Sequence, residues 1–129
     1  MKKILLALIA LSLNLLALAQ KPECAKFKEG SFVLEDKNNG NTYISRQGKT
    51  QVEWQEYTKL KIEFTVKWID ECNYSLKIKK VLENPRNLQI PMDLVVNVKI
   101  TSTNGNTYTQ QSSSKGVEFV LTSEIRKIE

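Results

Sequence analysis

The side chains that could do chemistry in this sequence are few, because the chain contains no histidine. Without an imidazole, a serine or cysteine nucleophile lacks its usual general base, and a histidine metal cluster is excluded. No glycine-rich phosphate-binding loop occurs either, since all five glycines fall in predicted turns or loops. We therefore predict no catalytic residues, no bound metal, no cofactor and no enzymatic activity.

Acidic side chains occur together at two places in the sequence. Asp70 and Glu71 are adjacent, but they fall at a predicted hairpin tip, where solvation does not favour acid/base catalysis. Asp36 with Asn38 and Asn39 resembles the start of a calcium loop, although too few oxygen ligands follow. Both groups are interpreted as turns.

The candidates for a binding function are aromatic and apolar side chains that the strand pattern places on inward faces. An inward aromatic side chain lines a cavity if the barrel is hollow, and it belongs to the core if the barrel is filled. Core packing is the commoner use of aromatic residues at strand spacing. The candidate cavity-lining residues are Trp54, Phe64, Trp68, Tyr74 and Leu88.

The element that must position these residues is a long β-hairpin predicted over residues 59–80. Apolar residues alternate with polar ones on both sides of Asp70, as a strand with one buried face requires. With Asp70 at the tip, the predicted opposite pairs are Trp68–Cys72, Val66–Tyr74, Phe64–Leu76, Glu63–Lys77, Ile62–Ile78 and Lys61–Lys79.

Six further strands are predicted around this hairpin, joined by short turns that include Asn39-Gly40 and Asn104-Gly105. They cover residues 31–36, 42–46, 50–56, 93–102, 106–111 and 117–122, the last with Phe119 near its middle. Residues 112–116 are predicted as a polar loop and 123–129 as a charged tail. Pro85 and Pro91 exclude a central strand at 81–92, so this segment is predicted to cap an open end of the sheet, with a lid as the alternative.

The fold class that follows is all-β, a single antiparallel meander of about eight strands in a small or partly open, lipocalin-like barrel. An outer-membrane barrel needs strands of about ten residues with an apolar exterior. Here most strands are shorter and their alternate residues include many lysines, so we exclude that class.

The first nineteen residues predict a secretory signal peptide, and residues 20–129 a single domain. Lys2 and Lys3 precede an apolar run that is too short for a membrane span and that ends in Ala17-Leu18-Ala19. Cleavage there lowers the formal net charge from +5 to +3, and the remaining lysines alternate along strands, so we expect no nucleic-acid partner. We predict an exported, periplasmic or extracellular monomer without a membrane span.

The two cysteines of an exported chain predict one disulfide, Cys24–Cys72, with free or intermolecular thiols as the alternative. The loop that it closes spans roughly 49 residues, for which the chain-entropy argument gives about 4 kcal/mol of stabilisation.

Several motifs in this sequence resemble those of a group of small exported proteins of Bacteroidota-type bacteria. The matching motifs are Cys24-x-x-Phe27-x-x-Gly30-x-Phe32, Ile44-x-Arg46, Gln51-x-Glu53 and Trp68-x-x-x-Cys72-x-Tyr74-x-Leu76. This resemblance implies export and an all-β fold, and it implies no catalytic residues. Gly30-Ser31-Phe32 is also similar to the Gly-x-Trp opening of lipocalin-like barrels, with Phe32 in place of the tryptophan, and Arg126 would then be the late arginine of such barrels.

Two functions remain open at this point. The first is binding of a small apolar or amphipathic molecule inside the barrel. The alternative is a structural or protein-interaction domain of the cell envelope with a filled core, whose working surface would be the lysine-rich face that carries Lys61, Lys77 and Lys79.

Overall fold

The computed structural model describes residues 21–117 and 120–129. The predicted signal peptide and Phe119 lie outside these described residues, so they stay predictions. Within the described ranges, no helix is both long enough and apolar enough to cross a membrane.

Eight antiparallel strands form a closed barrel in which each strand pairs with its neighbours in sequence. The strands are β1 (Gly30–Leu34), β2 (Thr42–Gln47), β3 (Thr50–Gln55), β4 (Lys61–Trp68), β5 (Asn73–Glu83), β6 (Val95–Asn104), β7 (Thr107–Ser114) and β8 (Leu121–Lys127). The barrel closes where β1 pairs with β8, through Phe32 opposite Lys127 and Val33 opposite Arg126. The predicted all-β meander barrel is therefore confirmed, and closure leaves no long sheet edge unpaired.

The apolar residues whose alternation predicted β4, β5 and β6 point into the barrel. Val66, Leu76, Val98 and Ile100 are buried, while the lysines between them lie outside. These strands supply six of the thirteen buried apolar residues in the described ranges, because their inward residues are large and follow the period of two.

The predicted register of the β4–β5 hairpin is wrong by two residues. Trp68 lies opposite Tyr74 rather than Cys72, and on the outer face Thr65 rather than Glu63 lies opposite Lys77. The turn covers residues 69–72 because the Asp70 carboxylate accepts hydrogen bonds from the Cys72 backbone N–H at 2.9 Å and from the Asn73 amide. A shift by an even number of residues leaves every side chain on its predicted face.

Two register shifts follow in the same hairpin, and they change the predicted charge pairs. Glu63 lies opposite Lys80, and Lys61 lies opposite Glu83. Lys79 points its ammonium nitrogen to the Glu63 carboxylate at 3.5 Å, so the predicted repulsive pair between Lys61 and Lys79 does not form.

The predicted strands at 93–102 and 106–111 correspond to β6 and β7, whereas the predictions for the 112–116 loop, the 123–129 tail and the start of the 81–92 segment are wrong. Of the strand predicted at 117–122, Leu121 and Thr122 belong to β8. The expected polar loop at 112–116 begins as part of β7, the expected tail at 123–129 forms most of β8, and β5 continues to Glu83. The inward positions of β7 and β8 hold serine and glutamine as well as apolar residues, so hydrophobic alternation does not reveal these strands. Ile125, in the expected tail, is fully buried.

One end of the barrel is closed by an N-terminal plug, which we define as residues 23–28 and which contains a 3₁₀ helix at Cys24–Phe27. Cys24 forms the predicted disulfide with Cys72 in the β4–β5 turn. The Lys26 ammonium donates to the Gly105 carbonyl at 2.7 Å, and the Phe27 side chain is fully buried in the core. The plug is thus fixed to two turns and to the barrel interior.

Gly30 stands where the chain leaves the plug and enters β1. Its φ is +134°, a region that residues with a Cβ rarely adopt, and a Cβ there would collide with the carbonyl oxygen of Glu129. The Ser31 N–H donates to that same oxygen at 2.8 Å. A glycine is therefore required for β1 to approach the C-terminus.

We predict that the double variant Cys24→Ala/Cys72→Ala loses about 4 kcal/mol of unfolding free energy, because the bridge spans 48 residues and removal of it frees the unfolded chain. Urea denaturation of the oxidised protein and of the variant measures the difference. Wild type under reducing conditions is the control and should resemble the variant. Equal stability of all three samples would contradict the structural role of the bridge.

Candidate functional site: the barrel cavity

The end of the barrel opposite the plug contains a cavity of about 330 Å³. Its walls are mainly apolar and include side chains from every strand. The lining residues are Leu34, Ile44, Gln51, Glu53, Ile62, Phe64, Tyr74, Leu76, Ile78, Ile90, Pro91, Leu94, Val96, Val98, Gln110, Ser112, Ser123 and Ile125. Three of them, Ile90, Pro91 and Leu94, come from the β5–β6 loop, so this segment forms part of the cavity wall.

The predicted cavity-lining residues occupy different places. Phe64 and Tyr74 line the cavity, and Trp68 packs against Tyr74 with ring centres 4.6 Å apart, next to the buried cluster near the plug. Trp54 instead lies on the outer face of the barrel beside Tyr43, with ring centres 5.8 Å apart. Leu88 is 39% exposed and does not line the cavity.

The orientation of β3 explains why Trp54 points outward. Gln51 and Glu53 face inward on β3, because Gln51 pairs with the buried Arg46 and Glu53 pairs with Ile44. Val52 and Trp54 alternate with them and therefore face out. The prediction that Trp54 points into the barrel is therefore wrong, because the polar rather than the apolar residues of β3 face inward.

The inward-facing polar residues that the sequence prediction missed are thus Arg46, Gln51 and Glu53. The signal that could have found them is the repeated i, i+2 spacing in Ile44-x-Arg46 and Gln51-x-Glu53 across a two-residue turn. In a hairpin, such spacings place all four residues on one face.

Arg46 is buried in the filled half of the barrel, with 1% of its surface exposed. Its Nε donates to Gln51 Oε1 at 2.7 Å, and its Nη1 donates to the Phe27 carbonyl at 2.7 Å. Its Nη2 donates to the hydroxyls of Tyr74 at 3.0 Å and Tyr108 at 3.2 Å. A buried guanidinium needs such partners, because an unpaired buried charge is strongly destabilising.

Aromatic rings surround the same guanidinium. Its central carbon lies 4.9 Å from the ring centre of Phe32 and 4.7 Å from that of Tyr74, distances at which a cation is attracted to the face of a ring. Burial works against the charged form, yet the neighbouring Tyr74, Tyr108 and Glu53 outweigh it and hold the pKa of Arg46 above its ordinary value.

Arg126 does not take the position expected for a late arginine of a lipocalin-like barrel. It is exposed on the outer face of β8 and pairs with the carboxylate of Glu35. The arginine that lies over the ring of Phe32 is Arg46, which comes from β2 instead.

Glu53 connects the Arg46 network to the cavity. Gln51 Nε2 donates to Glu53 Oε2 at 3.1 Å, while Gln51 Oε1 accepts from Arg46, so one amide joins the two charged groups. Burial raises the pKa of Glu53, and the hydrogen bond from Gln51 and the charge of Arg46 reduce that rise without cancelling it. Among the described lining residues the other titratable group is Tyr74, whose pKa burial raises well above its usual value.

The acidic groups singled out in the sequence have local roles in turns. The Asp36 carboxylate accepts the backbone N–H groups of Asn38 at 2.9 Å and Asn39 at 3.1 Å, which lowers the pKa of Asp36. Hydrogen bonds from the Asn73 side chain and the Cys72 backbone lower the pKa of Asp70 in the same way. Across residues 21–117 and 120–129, His, Cys, Asp and Glu side chains form no group of three that could hold a metal ion.

No protein-family model, curated protein or solved structure matches this chain.

We predict that Arg46→Met lowers the unfolding free energy by about 3 kcal/mol or more, because it leaves buried oxygens of Phe27, Gln51, Tyr74 and Tyr108 without their donor. Arg126→Met is the matched control and should cost less than about 1 kcal/mol, since its ion pair is exposed. Urea denaturation of both variants measures the contrast. Similar losses in the two variants would argue against the buried network.

We predict a pH-dependent gain in stability from Glu53→Gln. The folded-state pKa of Glu53 is raised, so the wild-type protein loses stability as the pH rises through that pKa and keeps the loss above it. The difference in unfolding free energy between variant and wild type should be small near pH 3 and should grow in favour of the variant toward about pH 8. Chemical denaturation across this range measures it.

Glu124→Gln is the control for this titration, because Glu124 is exposed on the outer face of β8. It should show no comparable gain with rising pH. A flat difference for Glu53→Gln, or an equal gain for both variants, would show that burial does not perturb the Glu53 carboxylate.

Proposed function

We propose that this chain is an exported β-barrel that binds a small apolar or amphipathic ligand in its cavity. The observation that carries the proposal is the cavity of about 330 Å³ within the barrel, which has apolar walls and a few convergent polar groups. Binding sites for small molecules have this composition, and their volumes start at roughly 300 Å³.

The contrast between the two halves of the barrel supports a binding role. Near the plug, Phe27, Phe32, Tyr108 and Arg46 are almost fully buried and pack against one another. Protein interiors are normally close-packed, and unfilled apolar space lowers stability. Larger side chains at the cavity wall would fill that space and avoid this loss of stability. Binding of an apolar molecule explains why the wall residues are too small to fill it.

The surroundings of the cavity favour an amphipathic ligand. A groove of about 500 Å³ lies between the β1–β2 and β3–β4 loops and shares Leu34 and Glu53 with the cavity. Asp36, Asn39 and Thr42 give the groove polar walls. A ligand with an apolar body in the cavity and a polar end toward this groove would contact both surfaces.

The alternative function, a structural or protein-interaction domain of the envelope, was predicted for a barrel with a filled core. Lys77 and Lys79 do lie exposed on the outside of β5, but Lys79 pairs with Glu63 of the same sheet. The cavity favours the binding proposal over this alternative. The disulfide is consistent with an oxidising compartment, and we propose the periplasm or the extracellular space.

We predict that the protein purified gently from its own cell envelope carries a bound small molecule. Native mass spectrometry should detect extra mass that disappears on denaturation, which also identifies the chemistry of the ligand. Ser123→Phe should abolish this extra mass, because Ser123 lines the cavity and a phenyl ring would occupy the space.

Thr122→Phe is the matched control, since its neighbouring position on β8 is exposed and does not line the cavity. It should retain the bound molecule. A bare wild-type protein, or equal retention by Ser123→Phe, would contradict binding in the cavity and would favour the interaction domain.

A further inference from the structure

We propose that the cavity selects amphiphiles that carry a protonated amine over amphiphiles that carry a carboxylate, with Glu53 as the residue that contacts the ligand head. This inference rests on the proposed binding function, because it specifies the chemical class of the ligand for the same cavity.

Glu53 lies at the junction of the cavity and the groove. It lines both the apolar cavity and the polar groove, so its carboxylate lies where the head of an amphipathic ligand would be. One carboxylate oxygen, Oε2, accepts the hydrogen bond from Gln51. Among the described residues the structure gives Oε1 no donor, and this oxygen is available to a ligand N–H. A hydrogen bond between a carboxylate and an ammonium is stronger than one between neutral groups.

The described lining of the cavity presents no accessible positive charge. Neither lysine nor arginine lines the cavity. Arg46 lies nearby, but it is buried and donates to Gln51, to Phe27 and to two tyrosine hydroxyls. A ligand carboxylate would therefore approach Glu53 without a cation to balance it, which is unfavourable in an apolar site.

The other charged and titratable groups around Glu53 agree with this preference. They are Arg46 on β2, Tyr74 on β5, and Asp36 and Tyr57 at the groove. Arg46 acts on Glu53 through Gln51. The β4 residue opposite Glu53 is the uncharged Ile62. Apart from the shielded Arg46, none of these groups carries a positive charge. An ammonium head would favour the ionised form of Glu53, so amine binding should weaken as the pH falls and the carboxyl becomes protonated.

The test is isothermal titration calorimetry of the oxidised protein with three ligands of equal chain length: octylamine, octan-1-ol and octanoate. We expect octylamine to bind about tenfold or more tightly than octanoate near neutral pH, with octan-1-ol between them. Glu53→Gln should remove most of that ratio, with octylamine weakened and octanoate strengthened relative to octan-1-ol. Glu56→Gln, at an exposed carboxylate that lines neither the cavity nor the groove, is the control and should preserve the ratio.

The outcomes separate this inference from the function on which it rests. If none of the three ligands binds the wild-type protein, the proposed binding function fails and this inference fails with it. If octan-1-ol binds but octanoate binds as tightly as octylamine, only the amine preference is overturned. An amine preference that Glu53→Gln leaves intact, or that does not weaken at lower pH, would also overturn the role of Glu53.

Discussion

The buried guanidinium of Arg46 is the interaction on which the rest of this barrel depends. A charge inside an apolar core is tolerated only when hydrogen bonds replace its water. Here the replacements come from four separate elements: Gln51 on β3, Tyr74 on β5, Tyr108 on β7 and the carbonyl of Phe27 in the N-terminal plug. Because these elements are distant in sequence, one side chain makes the positions of the plug and of three strands mutually dependent.

The same network lies between the filled half of the interior and the cavity, and it connects the two. The amide of Gln51 has one possible orientation, since its oxygen accepts from Arg46 and its nitrogen donates to Glu53. A continuous polar chain therefore runs from the Phe27 carbonyl at the closed end to a carboxylate at the wall of the cavity. A change in the ionisation of Glu53 would alter its hydrogen bond with Gln51 and, through Gln51, the hydrogen bond to Arg46. The cavity wall and the plug are therefore joined by one set of hydrogen bonds.

Sequence reasoning succeeded where large apolar residues alternate without interruption and failed where polar residues face inward. β4, β5 and β6 were predictable because hydrophobic burial alone determines their inward face. The inward face of β3 instead depends on its partner strand β2. The buried Arg46 requires Gln51 as a hydrogen-bond acceptor on the inner face, and this pairing places Trp54 on the outer face. The hairpin register was missed because the Asp70 side chain fixes a four-residue turn, which hydrophobic periodicity cannot show. The disulfide was predictable from composition, whereas the cavity depends on how all eight strands close.

The two ends of the barrel differ in how their strands are connected and sealed. At the plug end the strands are joined by short turns, including residues 48–49 and 105–106, and the disulfide and Phe27 seal the opening. At the cavity end the connections are longer, and the loop at 84–94 contributes to the wall. Loops of this kind accept substitutions more readily than packed strands do. Under the proposed binding function, ligand preference can therefore change through the loops and Glu53, while Arg46 and the plug hold the other end of the barrel together.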